Sequence, residues 1–132
     1  MKYLFYILVP FIISCQNREE NKHEDSKQDK NLIYFNSHFM ADLGDDEWYK
    51  LQSKMDSPIK TQYLDDVIYV TKYIDVNACG TYEGDIEIKK DTIYLIHRLV
   101  SDEICATTSI NKIIYIIKNP TQKKYKMIIR YE

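Results

Sequence analysis

Few side chains in this 132-residue sequence are of types that do chemistry. Cys79 and Cys105 lie about 26 residues apart with His97 between them, which admits a disulfide, a zinc site or a nucleophilic Cys/His pair. Zinc needs three or four ligands, and these three lack the close pairing of zinc-ligand spacings. A nucleophilic pair needs a further group to orient the base, and nothing near His97 supplies one. A disulfide needs only the two cysteines, and closing a loop of about 26 residues is worth roughly 3.5 kcal/mol by chain entropy. We therefore expect a Cys79–Cys105 bridge.

The acidic run Asp42-Leu43-Gly44-Asp45-Asp46-Glu47 has carboxylates enough for calcium, but not the alternating ligand spacing of an EF-hand. The same acids serve equally well at a helix start, so both readings stay open. Asp65-Asp66 has no second acidic pair at a readable offset and gives general acid/base catalysis no footing. His23 falls in a charged stretch, His38 in an expected loop, and His97 alternates with Ile93 and Leu95 as a core or rim histidine would. No serine sits in a nucleophile elbow, and glycines at 44, 80 and 84 make no phosphate loop. No catalytic residue, metal or cofactor is assigned, and an enzyme is not expected.

The third cysteine has a different context. Lys2 is followed by an uncharged apolar run, Tyr3 to Ile13, too short for a bilayer that takes about 20 helical residues. It reads as a secretory signal, residues 1–14. The junction Ile12-Ile13-Ser14-Cys15 resembles the lipobox of bacterial lipoproteins, with Ile13 bulkier than the usual occupant. That resemblance implies cleavage before Cys15, a diacylglyceryl thioether on its sulfur and an acylated new N-terminus. Several acyl chains anchor stably because each buried methylene contributes about 0.8 kcal/mol. Gln16-Asn17-Arg18-Glu19-Glu20 resembles the surface-export signal of Bacteroidota lipoproteins, with Arg18 where lysine is usual. The implied address is the outer membrane: its outer surface if the export signal holds, its periplasmic face otherwise.

These features need a domain to carry. Residues 16–31 contain no large apolar side chain and are expected to form a flexible charged tether behind Cys15, leaving residues 32–132 as one domain. Alternation with period two dominates that domain. Tyr125 to Tyr131 reads as a half-buried strand, expected to pair with Ile110–Lys118 through a hairpin at Asn119-Pro120-Thr121-Gln122. Thr81–Ile88 and Thr92–Val100 form a second expected hairpin around Lys89-Lys90-Asp91. Val67–Ile74 reads as a further strand and Leu32–Phe35 as a weaker one. Trp48, Leu51 and Met55 recur at helical spacing behind Asp45-Asp46-Glu47 and ahead of Pro58. The expectation is a mainly β (β-rich α+β) domain: an antiparallel meander or barrel-like sheet of about six strands, with one short helix near residues 45–56.

Three Gly, three Pro and 45% hydrophobic residues exclude collagenous and low-complexity classes, and a net charge of −2 argues against nucleic acid as a partner. Charge is uneven along the chain. Asn36–Asp91 carries twelve acidic against six basic residues, whereas the last stretch holds Lys112, Lys118, Lys123, Lys124, Lys126 and Arg130 against Glu132 alone. Those six cations are candidates for contact with anionic headgroups, polysaccharide or an acidic envelope protein, or they guard a sheet edge. Tyr63, Tyr69, Tyr73, Tyr82 and Tyr94 are candidates for stacking on sugars or for a protein contact. The functional expectation is a lipid-anchored envelope protein with a non-catalytic binding domain. The alternative is an envelope-tethered inhibitor or immunity protein against a hydrolase or toxin.

Overall fold

A computed structural model describes residues 28–132. The signal run, Cys15, the Gln16–Glu20 stretch and His23 lie outside the described residues. The expected mainly β fold with one short helix is found, as seven strands in two sheets that do not close into a barrel. In chain order the elements are β1 (Leu32–Asp42), α1 (Asp46–Met55), β2 (Lys60–Leu64), β3 (Val67–Asn77), β4 (Tyr82–Lys89), β5 (Thr92–Leu99), β6 (Thr108–Lys118) and β7 (Lys126–Tyr131). An antiparallel sheet has the order β1-β6-β3-β2, and a mixed sheet the order β4-β5-β7.

Alternation explains the layers. Ile68, Val70, Ile74 and Val76 of β3 share a core with Ile113, Tyr115 and Ile117 of β6, and with Ile86, Ile93 and Leu95 of the mixed sheet. Fully burying side chains of this size stabilises by about 1.5–3 kcal/mol each. Tyr115 is fully buried, and its hydroxyl donates to the Ile96 carbonyl at 2.7 Å, tying β6 to β5 across the layers.

The helix packs outside this core. Trp48 and Leu51 are buried with Ala41 and Ile110, flanked by Met40, Met55 and Tyr73. A bulge makes that seat: Phe39 is opposite Asn111, but Ala41 is opposite Ile110, so Met40 is an extra residue that turns the end of β1 toward the helix. The Lys72 ammonium donates to the carbonyls of Met55 and Ser57 where α1 ends, a favourable place for a cation.

Three expectations need correction. β7 does not form a hairpin with β6; it runs parallel to β5, with Ile93 opposite Met127 and Leu95 opposite Ile129. The turn itself is present, Gln122 N–H donating to the Asn119 carbonyl at 3.0 Å, but β1 and β3 already occupy both edges of β6. The Leu32–Phe35 strand extends to Asp42, which places His38 in β1 and not in a loop. Two register shifts and the polar trio Asn36-Ser37-His38 obscure its alternation. Finally, residues 28–31 rest on the domain: Asp29 N–H donates to the Asp85 carboxylate at 2.8 Å, and the Asn31 carbonyl accepts from Lys118 N–H at 2.7 Å.

The two sheets approach closely where Phe35 of β1 lies over Gly84 of β4. A Cβ at Gly84 would sit 2.1 Å from the Phe35 ring, so this position takes no side chain without displacing a ring packed on the core. Gly84→Ala is expected to cost about 1–3 kcal/mol through overpacking. Urea denaturation measures it, and restoration by the double change Gly84→Ala with Phe35→Leu identifies the clash as the cause.

Candidate functional site

The inner face of β6 changes character along its length. From the far end it runs Ile117, Tyr115, Ile113, and then Asn111 and Ser109, both nearly buried yet polar. Opposite Ile113 stands Ser37 of β1. These groups form a row: Ser109 Oγ donates to Asn111 Oδ1 at 3.3 Å, Asn111 Nδ2 donates to Ser37 Oγ at 3.0 Å, and Ser37 Oγ lies 3.4 Å from His97 Nε2. An open cleft of about 370 Å³ lies over this row, between β1 and the Asn77–Thr81 segment that joins β3 to β4. Its walls are Phe35, Phe39, Tyr82 and that segment, and no charged side chain lines it.

His97 backs the row. It is only 2% exposed, stacks on Tyr82 at 4.6 Å, and meets the edges of Phe35 and Tyr131 at about 6 Å. Burial lowers its pKa to about 4, so the ring is neutral at pH 7. The Tyr82 hydroxyl donates to the Asn77 carbonyl at 3.0 Å, and burial raises its own pKa.

The Asn77–Thr81 wall is held in two ways. Cys79 and Cys105 are joined, as expected, with their Cα atoms 5.6 Å apart. Asn77 then ties its side-chain amide to the same two segments: Oδ1 accepts from the N–H groups of Cys79 and Cys105 at 3.1 Å, and Nδ2 donates to the Cys105 carbonyl at 2.7 Å. Gly80 lies so close to Tyr82 that a Cβ would fall 2.5 Å from the hydroxyl. The wall is therefore shaped before any ligand arrives.

The six cations do not gather into one patch. Lys118 ends β6 and Lys126 begins β7, with Lys123 and Lys124 in the connection between them, where Lys123 pairs with Asp91 at 2.7 Å and Lys124 lies 3.6 Å above the Tyr63 ring. A smaller cleft of about 230 Å³ beside Tyr63, Asn119 and Lys124 opens there. Lys112 lies in mid-β6, opposite His38 and Tyr73, on the alternate face from Ile113. Arg130 bridges Glu87 and Glu132 at 2.8 and 2.9 Å; Lys89 and Arg130 hold the Glu87 carboxyl below its usual range, and Arg98 does the same for Glu132. The tyrosines are dispersed too: Tyr82 faces the cleft, Tyr94 lies under Lys89 and Arg130, and Tyr63 exchanges hydrogen bonds with the Tyr125 backbone. In the acidic stretch, Asp45 accepts from Asp42 N–H while Asp46 and Glu47 open α1, and no group of three or more potential metal ligands gathers among the described residues.

Ser37, Asn77, Ser109 and Asn111 escaped the sequence reading. A signal for two of them was present: Ser109 and Asn111 continue the odd-numbered alternation of Ile113, Tyr115 and Ile117 with polar residues, marking where an apolar stripe stops being dry. Nothing in the sequence pairs Ser37 with them. Comparison with protein-family profiles, with curated proteins and with solved structures finds no match for this chain.

Two measurements follow from the site. The unfolded chain protonates His97 near 6.5 while the folded chain resists until about 4, so stability declines as pH falls through that window. The slope approaches about 1.4 kcal/mol per pH unit, and His97→Phe removes it; unfolding midpoints between about pH 7.5 and 5 are the readout, above the range of the carboxylates. Replacing Cys79 and Cys105 together with alanine costs roughly 3.5 kcal/mol for the 26-residue separation, read as a lowered urea midpoint.

Proposed function

We propose that this chain is a lipid-anchored protein of a Gram-negative cell envelope whose β-rich domain binds a ligand and catalyses no reaction. Acyl chains on Cys15 hold it in the outer membrane, on the cell surface if the charged stretch after Cys15 acts as an export signal and on the periplasmic face otherwise. The Ile12-Ile13-Ser14-Cys15 junction behind a short apolar run supports the anchor. The disulfide suits an oxidising compartment outside the cytoplasm.

The binding role is carried by one observation: an open, uncharged polar cleft whose wall is fixed by a disulfide and by the Asn77 amide. A cleft shaped in advance loses little entropy when it is filled. Ser37 and His97 bring a hydroxyl and an imidazole within 3.4 Å, but burial has stripped His97 of basicity, and a base of pKa about 4 accepts a serine proton poorly at neutral pH. The pair fits a structural hydrogen bond better than a nucleophile and its base.

A second reading, the tethered inhibitor or immunity protein, draws on the outer face of the antiparallel sheet. Tyr34, Ile116, Tyr69 and Gln62 form a row across all four strands, and Tyr34 is 45% exposed. Aromatic and aliphatic side chains in such a row suit a protein contact.

The anchor is tested by Cys15→Ser. The processed wild-type protein is expected in the membrane fraction and the variant in the soluble fraction, while intact-mass measurement shows acyl chains on the wild type only. A variant that has lost its leader and still stays with the membrane defeats the anchor.

A further inference from the structure

The chemistry of the cleft beside Ser37 selects among ligands. Its lining combines hydroxyls, amides and aromatic rings with no charged side chain. A phosphate or carboxylate entering it would give up hydration without meeting a counter-charge, which is costly. A wholly apolar ligand would cut Ser37, Ser109 and Asn111 off from water without replacing those hydrogen bonds. What satisfies both constraints is a ligand with hydroxyls on its rim and C–H groups on its faces.

We infer that the cleft between β1 and the disulfide-braced Asn77–Thr81 segment binds a neutral saccharide ring, its C–H face on Phe39 and its hydroxyls on the Ser37–Asn111–Ser109 row. This rests on the binding role proposed above and names its ligand class. Phe39 is 52% exposed although it is a large apolar ring on the sheet's inner side, and it lines the cleft. An aromatic ring presented this way offers a flat platform at low entropic cost.

The amide of Asn111 supplies the complementary polarity. Within the row it uses one of its two N–H groups on Ser37 and one oxygen lone pair on Ser109. One donor and one acceptor remain for a ligand, and a sugar hydroxyl both accepts and donates. At about 370 Å³ the cleft lies near the lower end of the roughly 300–1,000 Å³ range of small-molecule sites, which suits one or two rings more than a long chain. Because the far wall is stapled, breaking the Cys79–Cys105 bond should loosen the site and weaken binding.

The test titrates the full chain, in a detergent without a sugar headgroup, with neutral mono- and disaccharides and the matching uronic acids, followed by ligand-observed NMR. At least one neutral saccharide is expected to bind with Kd at or below about 1 mM. Phe39→Ala should weaken it about tenfold or more without lowering the unfolding midpoint, because that ring is half exposed. Asn111→Leu, near in volume, should do the same, and its unfolding midpoint is measured alongside; reductant should also weaken binding. Silence from every neutral saccharide up to about 10 mM, preference for the uronic acids, or indifference to Phe39→Ala overturns the inference. Such a result leaves the anchor standing, since the Cys15→Ser fractionation needs no ligand; a leader-free Cys15→Ser variant that stays with the membrane would sink the anchor and leave the titration valid.

Discussion

β6 occupies the middle of the antiparallel sheet and surrenders both backbone edges, one to β1 and one to β3. A strand has only two edges, so a third neighbour in the same plane is impossible, and the chain that follows cannot pair back onto β6. It passes through Asn119–Tyr125 and adds β7 alongside β5. β6 itself reaches into the second layer with Tyr115, buried, whose hydroxyl finds a carbonyl there. A buried hydroxyl without a partner is expensive, and the Tyr115 to Ile96 bond satisfies the group while linking the two sheets.

The cleft is a consequence of how that layer pair ends. Apolar side chains fill the space between the sheets from Ile117 to Ile113, and beyond them the inner face of β6 presents Asn111 and Ser109. Polar side chains there can be paid for only by one another or by water, and the row from Ser109 to Ser37 is the result. His97 closes the core behind it as a neutral aromatic ring, wedged among Tyr82, Phe35 and Tyr131. The disulfide and the Asn77 amide brace the segment facing this polar end, the short β3–β4 connection.

Charge follows topology in the same way. The acidic middle of the sequence and its basic end look segregated in one dimension, yet parallel pairing of β7 with β5 sets Arg130 within reach of Glu87, and the β6–β7 connection sets Lys123 beside Asp91. These pairs are exposed and worth little singly. They do show why a count along the chain overstates the dipole of the folded domain.

Local chemistry was legible without coordinates: the strands β3 to β6 from their alternation, the helix from Trp48, Leu51 and Met55, the turn at Lys89-Lys90-Asp91, and the Cys79–Cys105 bond from there being two cysteines to pair in the domain. Each of these depends on neighbours close in sequence or on a choice with one answer. The partner of β7, the full length of β1 through its two bulges, the dispersal of the six cations and the assembly of Ser37, Asn111, Ser109 and His97 were decided only by the tertiary structure. Their cause is competition for strand edges and for the two sides of one interior, and residues up to 74 positions apart settle it together.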